Sequence, residues 1–188
     1  MTHAYSESYL SNAKDRLSSF FDYAINDCKL KPDWITALFL TTGYAQQFER
    51  GNPAYVAGMS GVELARAVIL KAYGRKELPE PTHAEDCSPA YWAGWAVAEY
   101  QWFTGRRFKD IFERIPLSKI IEMYSVYHEM DITNFIDAMP LPKKSLTPKR
   151  RFALKWRPVI LICEALRLPE VSSSTIREIP MPSSTTSL

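Results

Sequence analysis

The chain is poor in the residues that most often carry chemistry. It has three cysteines, Cys28, Cys87 and Cys163, in 188 residues. They are far apart, odd in number and form no CxxC pair, which argues against a disulfide scaffold and fits a reducing compartment. The seven glycines spell neither GxGxxG nor GxxxxGK[ST], so no phosphate-cradling loop is indicated. No apolar run approaches the roughly 20 residues that cross a bilayer; Val159-Ile-Leu-Ile-Cys163 is far shorter. The start, Met1-Thr-His-Ala-Tyr-Ser-Glu, lacks a basic segment followed by an apolar one, as a signal peptide would have. Nor is there a large excess of one charge: the net value of +2 does not mark the whole chain as a nucleic-acid binder. These absences lead us to expect a soluble, cytoplasmic protein with no membrane partner, no cofactor and no bound metal.

What is present is aromatic and unevenly charged. Phe, Trp and Tyr make up 13% of the chain, and 46% of residues are hydrophobic, enough for one sizeable core. Residues 1–140 carry 14 Lys+Arg against 18 Asp+Glu, a net charge of −4. Residues 141–170 carry 8 against 2, a net charge of +6. An acidic body followed by a short basic arm points to a polyanion or an acidic protein surface as partner.

Helical periodicity dominates the body. Leu10, Ala13, Leu17, Phe20 and Ala24 form one stripe of a helix over 6–27. Pro32 opens a second helix over 33–41, and 44–50 reads as a further turn or two. Ser60 with Glu63 has capping-box spacing ahead of a helix over Gly61–Tyr73, which Gly74 can close in the left-handed conformation. Residues 75–87 read as an extended connector. Ser88-Pro89 starts the densest stretch, Tyr91-Trp-Ala-Gly-Trp-Ala-Val-Ala-Glu-Tyr-Gln-Trp-Phe103. Apolar nearly all round, this should be the central buried helix, with Trp102 and Phe103 in the core and Gly105 as its stop. Short helices over 108–113 and from Pro116 to about 124 follow, and Asp131 caps a last one. The expected fold is therefore all-α: a compact multi-helix bundle around an aromatic-rich helix in an acidic domain at 1–140. A basic arm at 141–171 and a disordered Ser/Thr/Pro-rich tail at 172–188 complete it. Residues 153–168 fit either a helix interrupted at Pro158 or a strand through 159–163.

Few residues invite a catalytic reading. Tyr127-His-Glu-Met-Asp131 misses HExxH spacing because residue 132 is Ile, and it reads as a helix boundary with a capping acid. His83 and Cys87, with Glu85 and Asp86 between them, lack a second ligand pair, and Cys87 as a nucleophile would need a histidine beside it in space. Glu99 stands in the most apolar helix. A buried carboxylate must pair or shift its pKa, and a structural pair with Arg66, Arg106 or Arg107 is favoured over a catalytic acid. No catalytic residue is therefore assigned. The contact candidates are basic: Arg106, Arg107 and Lys109 at a turn between helices, and Lys143, Lys144, Lys149, Arg150, Arg151, Lys155 and Arg157 in the arm. These can meet phosphates or acidic protein patches, though such an arm serves as readily as a solvated linker.

Three stretches carry a family resemblance: Gly51-Asn-Pro-Ala-Tyr-Val-Ala-Gly-Met-Ser-Gly-Val-Glu-Leu64, Ser88-Pro-Ala-Tyr-Trp-Ala-Gly-Trp-Ala-Val-Ala-Glu-Tyr-Gln-Trp-Phe-Thr-Gly105 and Ile115-Pro-Leu-Ser118. Over about 5–139 the chain resembles an all-helical, largely uncharacterised domain of gut Firmicutes and their mobile elements. That domain often precedes a helix-turn-helix module, a pattern that 150–188 do not show. Proteins of this size and origin include anti-CRISPR proteins acting on type II effectors. The charge division, the lack of an active-site constellation and the resemblance together lead us to expect a non-enzymatic, phage or mobile-element inhibitor of a Cas9-type nuclease, a monomer or homodimer, with DNA or guide RNA as a further partner. The alternative is a transcriptional regulator or antitoxin-like protein that binds DNA or a cognate toxin.

Overall fold

A computed structural model of the chain describes residues 3–74, 77–82 and 88–139. The expectations for the basic arm and the tail lie outside the described residues. Among those described, the secondary structure is helical with no strand, and the fold is all-α. The elements are α1 (Leu10–Asp22), α2 (Pro32–Thr41), α3 (Tyr44–Glu49), α4 (Pro53–Val56), α5 (Gly61–Tyr73), α6 (Pro89–Thr104), α7 (Phe108–Phe112), α8 (Leu117–Glu122), α9 (Tyr124–Tyr127) and α10 (Ile132–Ala138).

The predicted first helix is three pieces. A 3-10 turn at Glu7–Tyr9 leads into α1, and a π-helical segment at Tyr23–Asp27 ends it. There Cys28 N–H donates to the Tyr23 carbonyl at 3.0 Å, and Lys29, at φ 56°, turns the chain out of the helix. The extra residue per turn belongs to a local fastening: the Tyr23 hydroxyl donates to the Pro79 carbonyl (2.6 Å), and Arg66 Nε donates to that hydroxyl (3.1 Å). Burial raises the Tyr23 pKa above its ordinary value. The short helix α4 begins where Gly51-Asn52-Pro53 suggests only loop; Asn52 caps it by accepting from Ala54 N–H.

Helix α1 packs most extensively on α6 and next on α5. Both crossings depend on glycine. A Cβ at Gly94 would lie 2.4 Å from the Leu17 carbonyl oxygen, and one at Gly61 would lie 2.3 Å from that of Arg16. On α6 the residues around the crossing are small as well: Ala90, Ala93 and Ala98 are buried with Val97. The two helices approach more closely than Leu or Phe would allow. Phe20 and Phe21 of α1 then reach a second cluster with Phe39, Phe48, Phe108 and Phe112, all of them buried. Phe39 lies at its centre, with ring centroids 4.9 Å from Phe20, 5.4 Å from Phe108 and 6.3 Å from Phe48.

The N-terminal residues cross α6 near its end. Ala4 N–H donates to the Trp102 carbonyl (3.0 Å), Trp102 Nε1 donates to the Tyr5 carbonyl (2.9 Å), and His3 stacks on the indole at 3.8 Å. Trp102 is buried as expected. Phe103 is not in the core: it is one of the exposed large hydrophobics, because it follows the outward row of α6.

Helix caps divide into two kinds. Ser60 and Glu63 make the expected capping box, Ser88 accepts from Tyr91 N–H, and Asp131 accepts from Thr133 N–H. Gly74 and Gly105 close α5 and α6 at positive φ, as expected. By contrast, Arg107 and Pro116, at the starts of α7 and α8, supply no side-chain cap. Distant acids do so instead. Glu49 Oε2 accepts from Phe108 N–H (2.9 Å), and the two Asp33 oxygens accept from Ser118 N–H (3.0 Å) and its hydroxyl (2.9 Å). Asp33→Ala is expected to lower the unfolding free energy by about 1–2 kcal/mol, the worth of a missing cap plus an orphaned N–H. Denaturant unfolding checks it, and an unchanged midpoint would mean that α8 finds its own cap.

Candidate functional site

Helix α6 is buried on most of its circumference, but Tyr91, Trp95, Glu99 and Phe103, four residues apart, form a row facing outward. Glu99 in that row pairs with Lys14 of α1 at 2.8 Å, both side chains being largely buried. The structural pair is therefore of the expected kind with a different partner. None of the three arginines reaches it, because α1 lies alongside and presents Lys14 to it. Arg66 is committed to Tyr23, Pro79 and Glu80. The Lys14 ammonium also lies 4.5 Å from the centroid of the Trp95 ring. Tyr5 has its phenol pushed well above the ordinary range, first by burial and then by the Glu99 charge.

Trp95 is one wall of a cleft of about 400 Å³. Helix α6 contributes Tyr91, Trp92 and Trp95; α9 and its C-terminal end contribute Tyr124, Tyr127 and His128; Asp15 enters from α1, with Met130 and Ile132 at the far end. The aromatic walls are braced by ring contacts. Trp92 meets Tyr124 and Phe135 edge-on at 5.8 and 5.5 Å, and Tyr127 meets Phe135 edge-on at 6.3 Å. His128 stacks on Tyr124 at 4.3 Å, and its Nδ1 lies 2.7 Å from the Tyr124 carbonyl oxygen. A carbonyl only accepts, so Nδ1 carries the proton, and Nε2 faces Glu129 at 3.6 Å. Asp15 is exposed and has no hydrogen-bond or ion-pair partner among the described residues. The opposite side of α9 bounds a second, shallower groove of about 390 Å³ with Met123, Val126 and Ile115, and Tyr127 lines both.

The basic candidates fare differently. Arg107 forms a two-pronged pair with Asp110 (Nε to Oδ2 3.0 Å, Nη2 to Oδ1 2.9 Å), which raises its pKa, and Lys109 lies 3.8 Å from Glu113. Arg106 has a buried Nε without a hydrogen-bond partner among the described residues. The α6–α7 corner therefore brings the three bases together but offsets two of them with acids one turn on. Lys143, Lys144, Lys149, Arg150, Arg151, Lys155 and Arg157 lie outside the described residues, as do His83 and Cys87. Asp131 is the capping acid that the sequence implied, its pKa lowered by its hydrogen bonds to Thr133. Among the described residues no three His, Cys, Asp or Glu side chains group as metal ligands, and no helix is long and apolar enough to cross a membrane.

Sequence reasoning does not find the cleft. Its α6 wall, Tyr91, Trp92 and Trp95, belongs to a helix that the sequence reads as buried nearly all round. Its other walls come from α1 and α9, which no local pattern places beside α6. Comparison of the chain with protein families, with curated proteins and with solved structures finds no match.

Proposed function

We propose that this protein is a non-enzymatic interaction protein of phage or mobile-element origin whose helical body docks on a nucleic-acid-handling effector. In its specific form it inhibits a Cas9-type nuclease, and the arm at 143–157 contacts nucleic acid. The observation that carries the reading is the charge division, −4 over 1–140 against +6 over 141–170. Effectors of this kind hold nucleic acid in a basic channel, so an acidic body complements the protein while a basic arm complements its DNA or guide RNA. The outward aromatic and acidic cleft supports the protein-binding half. The pairing of Glu99 with Lys14 supports the structural reading of that carboxylate.

Cleavage of target DNA by Cas9, with purified protein added before or after guide loading at two salt concentrations, tests the reading. Dose-dependent inhibition supports it, and order dependence identifies the complex recognised. Reversing the charges of Lys149, Arg150 and Arg151 is expected to weaken binding and to flatten its salt dependence, by about one unit of log–log slope for each phosphate no longer neutralised. An unchanged slope removes the arm from nucleic-acid contact. No inhibition across several type II effectors, together with a footprint on a promoter, favours the regulator.

A further inference from the structure

We infer that the cleft between α6 and α9 receives an arginine side chain of a protein partner. The inference rests on the proposed docking role of the body and names the chemistry of that contact.

The walls of the cleft present aromatic rings, whose negative faces attract cations. Tyr91, Trp92 and Trp95 stand on one side, Tyr124 and Tyr127 on the other. Among the described residues, Asp15 is the one carboxylate on the lining, and neither a lysine nor an arginine shares that lining. Asp15 is exposed and has no hydrogen-bond or ion-pair partner among the described residues, so its charge is available to a ligand. The neighbouring cation, Lys14, is held by Glu99 at 2.8 Å and offsets that acid, not Asp15. It lies 4.5 Å from the Trp95 centroid without lining the cleft, so the Trp95 indole already takes part in one cation–ring contact.

Shape and hydration select among cations. A guanidinium is planar and weakly hydrated, so it stacks on aromatic rings while pairing with a carboxylate through two parallel hydrogen bonds. An ammonium is compact and strongly hydrated, and it has no planar face to lay on a ring. A nucleobase would stack equally well, but it arrives attached to phosphate, which Asp15 repels and which no Lys or Arg among the described lining residues receives. The net charge of −4 over 1–140 acts in the same direction, drawing basic protein surfaces toward the body.

The test is a titration of the full ¹⁵N-labelled chain, following the indole N–H resonances of Trp92 and Trp95, assigned with Trp→Phe variants. The probes are Nα-acetyl-arginine amide, its citrulline analogue of the same shape without charge, the lysine analogue, and adenosine monophosphate. Saturable shifts with the arginine probe are expected, with citrulline at least about tenfold weaker and lysine intermediate. Asp15→Asn is expected to weaken the arginine response about tenfold with the melting temperature unchanged, since Asp15 is exposed and makes no contact that folding needs. Equal response to citrulline, indifference to Asp15→Asn, or no shift with the arginine probe overturns the inference. A stronger response to adenosine monophosphate overturns it in favour of a base-stacking site. The two readings fail separately. Nuclease inhibition that survives Asp15→Asn leaves the proposed function and removes the arginine site; selective arginine binding without inhibition does the reverse.

Discussion

Gly94→Val is expected to leave the protein without a cooperative melting transition, or with one lowered by a large fraction of its total stability. The reason is what the new side chain meets. A Cβ at this position falls 2.4 Å from the Leu17 carbonyl oxygen and 2.7 Å from both the Leu17 carbonyl carbon and the Ser18 Cα. These are backbone atoms, so no rotamer change relieves the clash, and α1 and α6 must move apart along their whole contact. Overpacking a core ordinarily costs about 1–3 kcal/mol. Here separation also loosens the most extensive helix pair, and about 4 kcal/mol or more is expected from a total of roughly 5–15 kcal/mol. Gly94→Ala gains about 1 kcal/mol of helix propensity and still suffers the contact, so it falls between. Gly74→Ala is the control: nothing lies within 4 Å of its Cβ, and only the positive φ of 67° is strained. Thermal melts by circular dichroism check the order Gly74→Ala, Gly94→Ala, Gly94→Val. A Gly94→Val protein that melts like the parent would mean that α1 does not cross α6 at this residue.

That dependence on Gly94 shows what a sequence can and cannot convey. Glycine inside a strongly apolar helix is a visible anomaly, and so is the alanine row around it. Which helix comes close there is not visible, because it depends on residues 70 or more positions away. The caps divide on the same line. Ser60, Ser88 and Asp131 sit beside the N–H groups they satisfy, at spacings that can be read directly. Asp33 and Glu49 cap α8 and α7 from other helices, and nothing around residues 107 and 116 announces them. Element type follows local pattern. The interruptions, the π-helical segment after Asp22 and the separation of α8 from α9 at Met123, do not.

The candidate site is legible to the same limited depth. An apolar helix around Glu99 marks it as a paired acid, yet its partner Lys14 becomes evident only once α1 lies along α6. The hydrophobicity of α6 places Phe103 in the core, although Phe103 follows Tyr91, Trp95 and Glu99 at a spacing of four, and that row faces outward. Arg107 and Lys109 read as available charges in isolation, while Asp110 and Glu113, three and four residues on, stand at helical pairing distance. For Phe103, Arg107 and Lys109 the deciding residues are other occupants of the same helix face, whereas for Glu99 the deciding residue lies on another helix.

Trp92→Ala is expected to cost about 3–5 kcal/mol, with the destabilisation concentrated in one place. Trp92 is buried, and it meets Tyr124 of α9 and Phe135 of α10 edge-on. Helices α9 and α10 are short, and their contact with α6 is small beside that of α1. A helix of one or two turns has little stability of its own, so these elements depend on the indole for their docking. In hydrogen exchange, amides of 124–138 should lose protection well before those of α1 and the N-terminal half of α6, and the cleft should lose its response to the arginine probe. Phe39→Ala removes a comparable buried ring from the other cluster, among Phe20, Phe48 and Phe108, and should cost a similar amount. Its effect belongs to α2, α3 and α7, so its folded molecules should keep the cleft. Two variants of matched cost with opposite binding behaviour would tie the site to the docking of α9 and α10. Uniform loss of protection in Trp92→Ala would show instead that the described helices unfold as one unit, with the cleft no less stable than the core behind it.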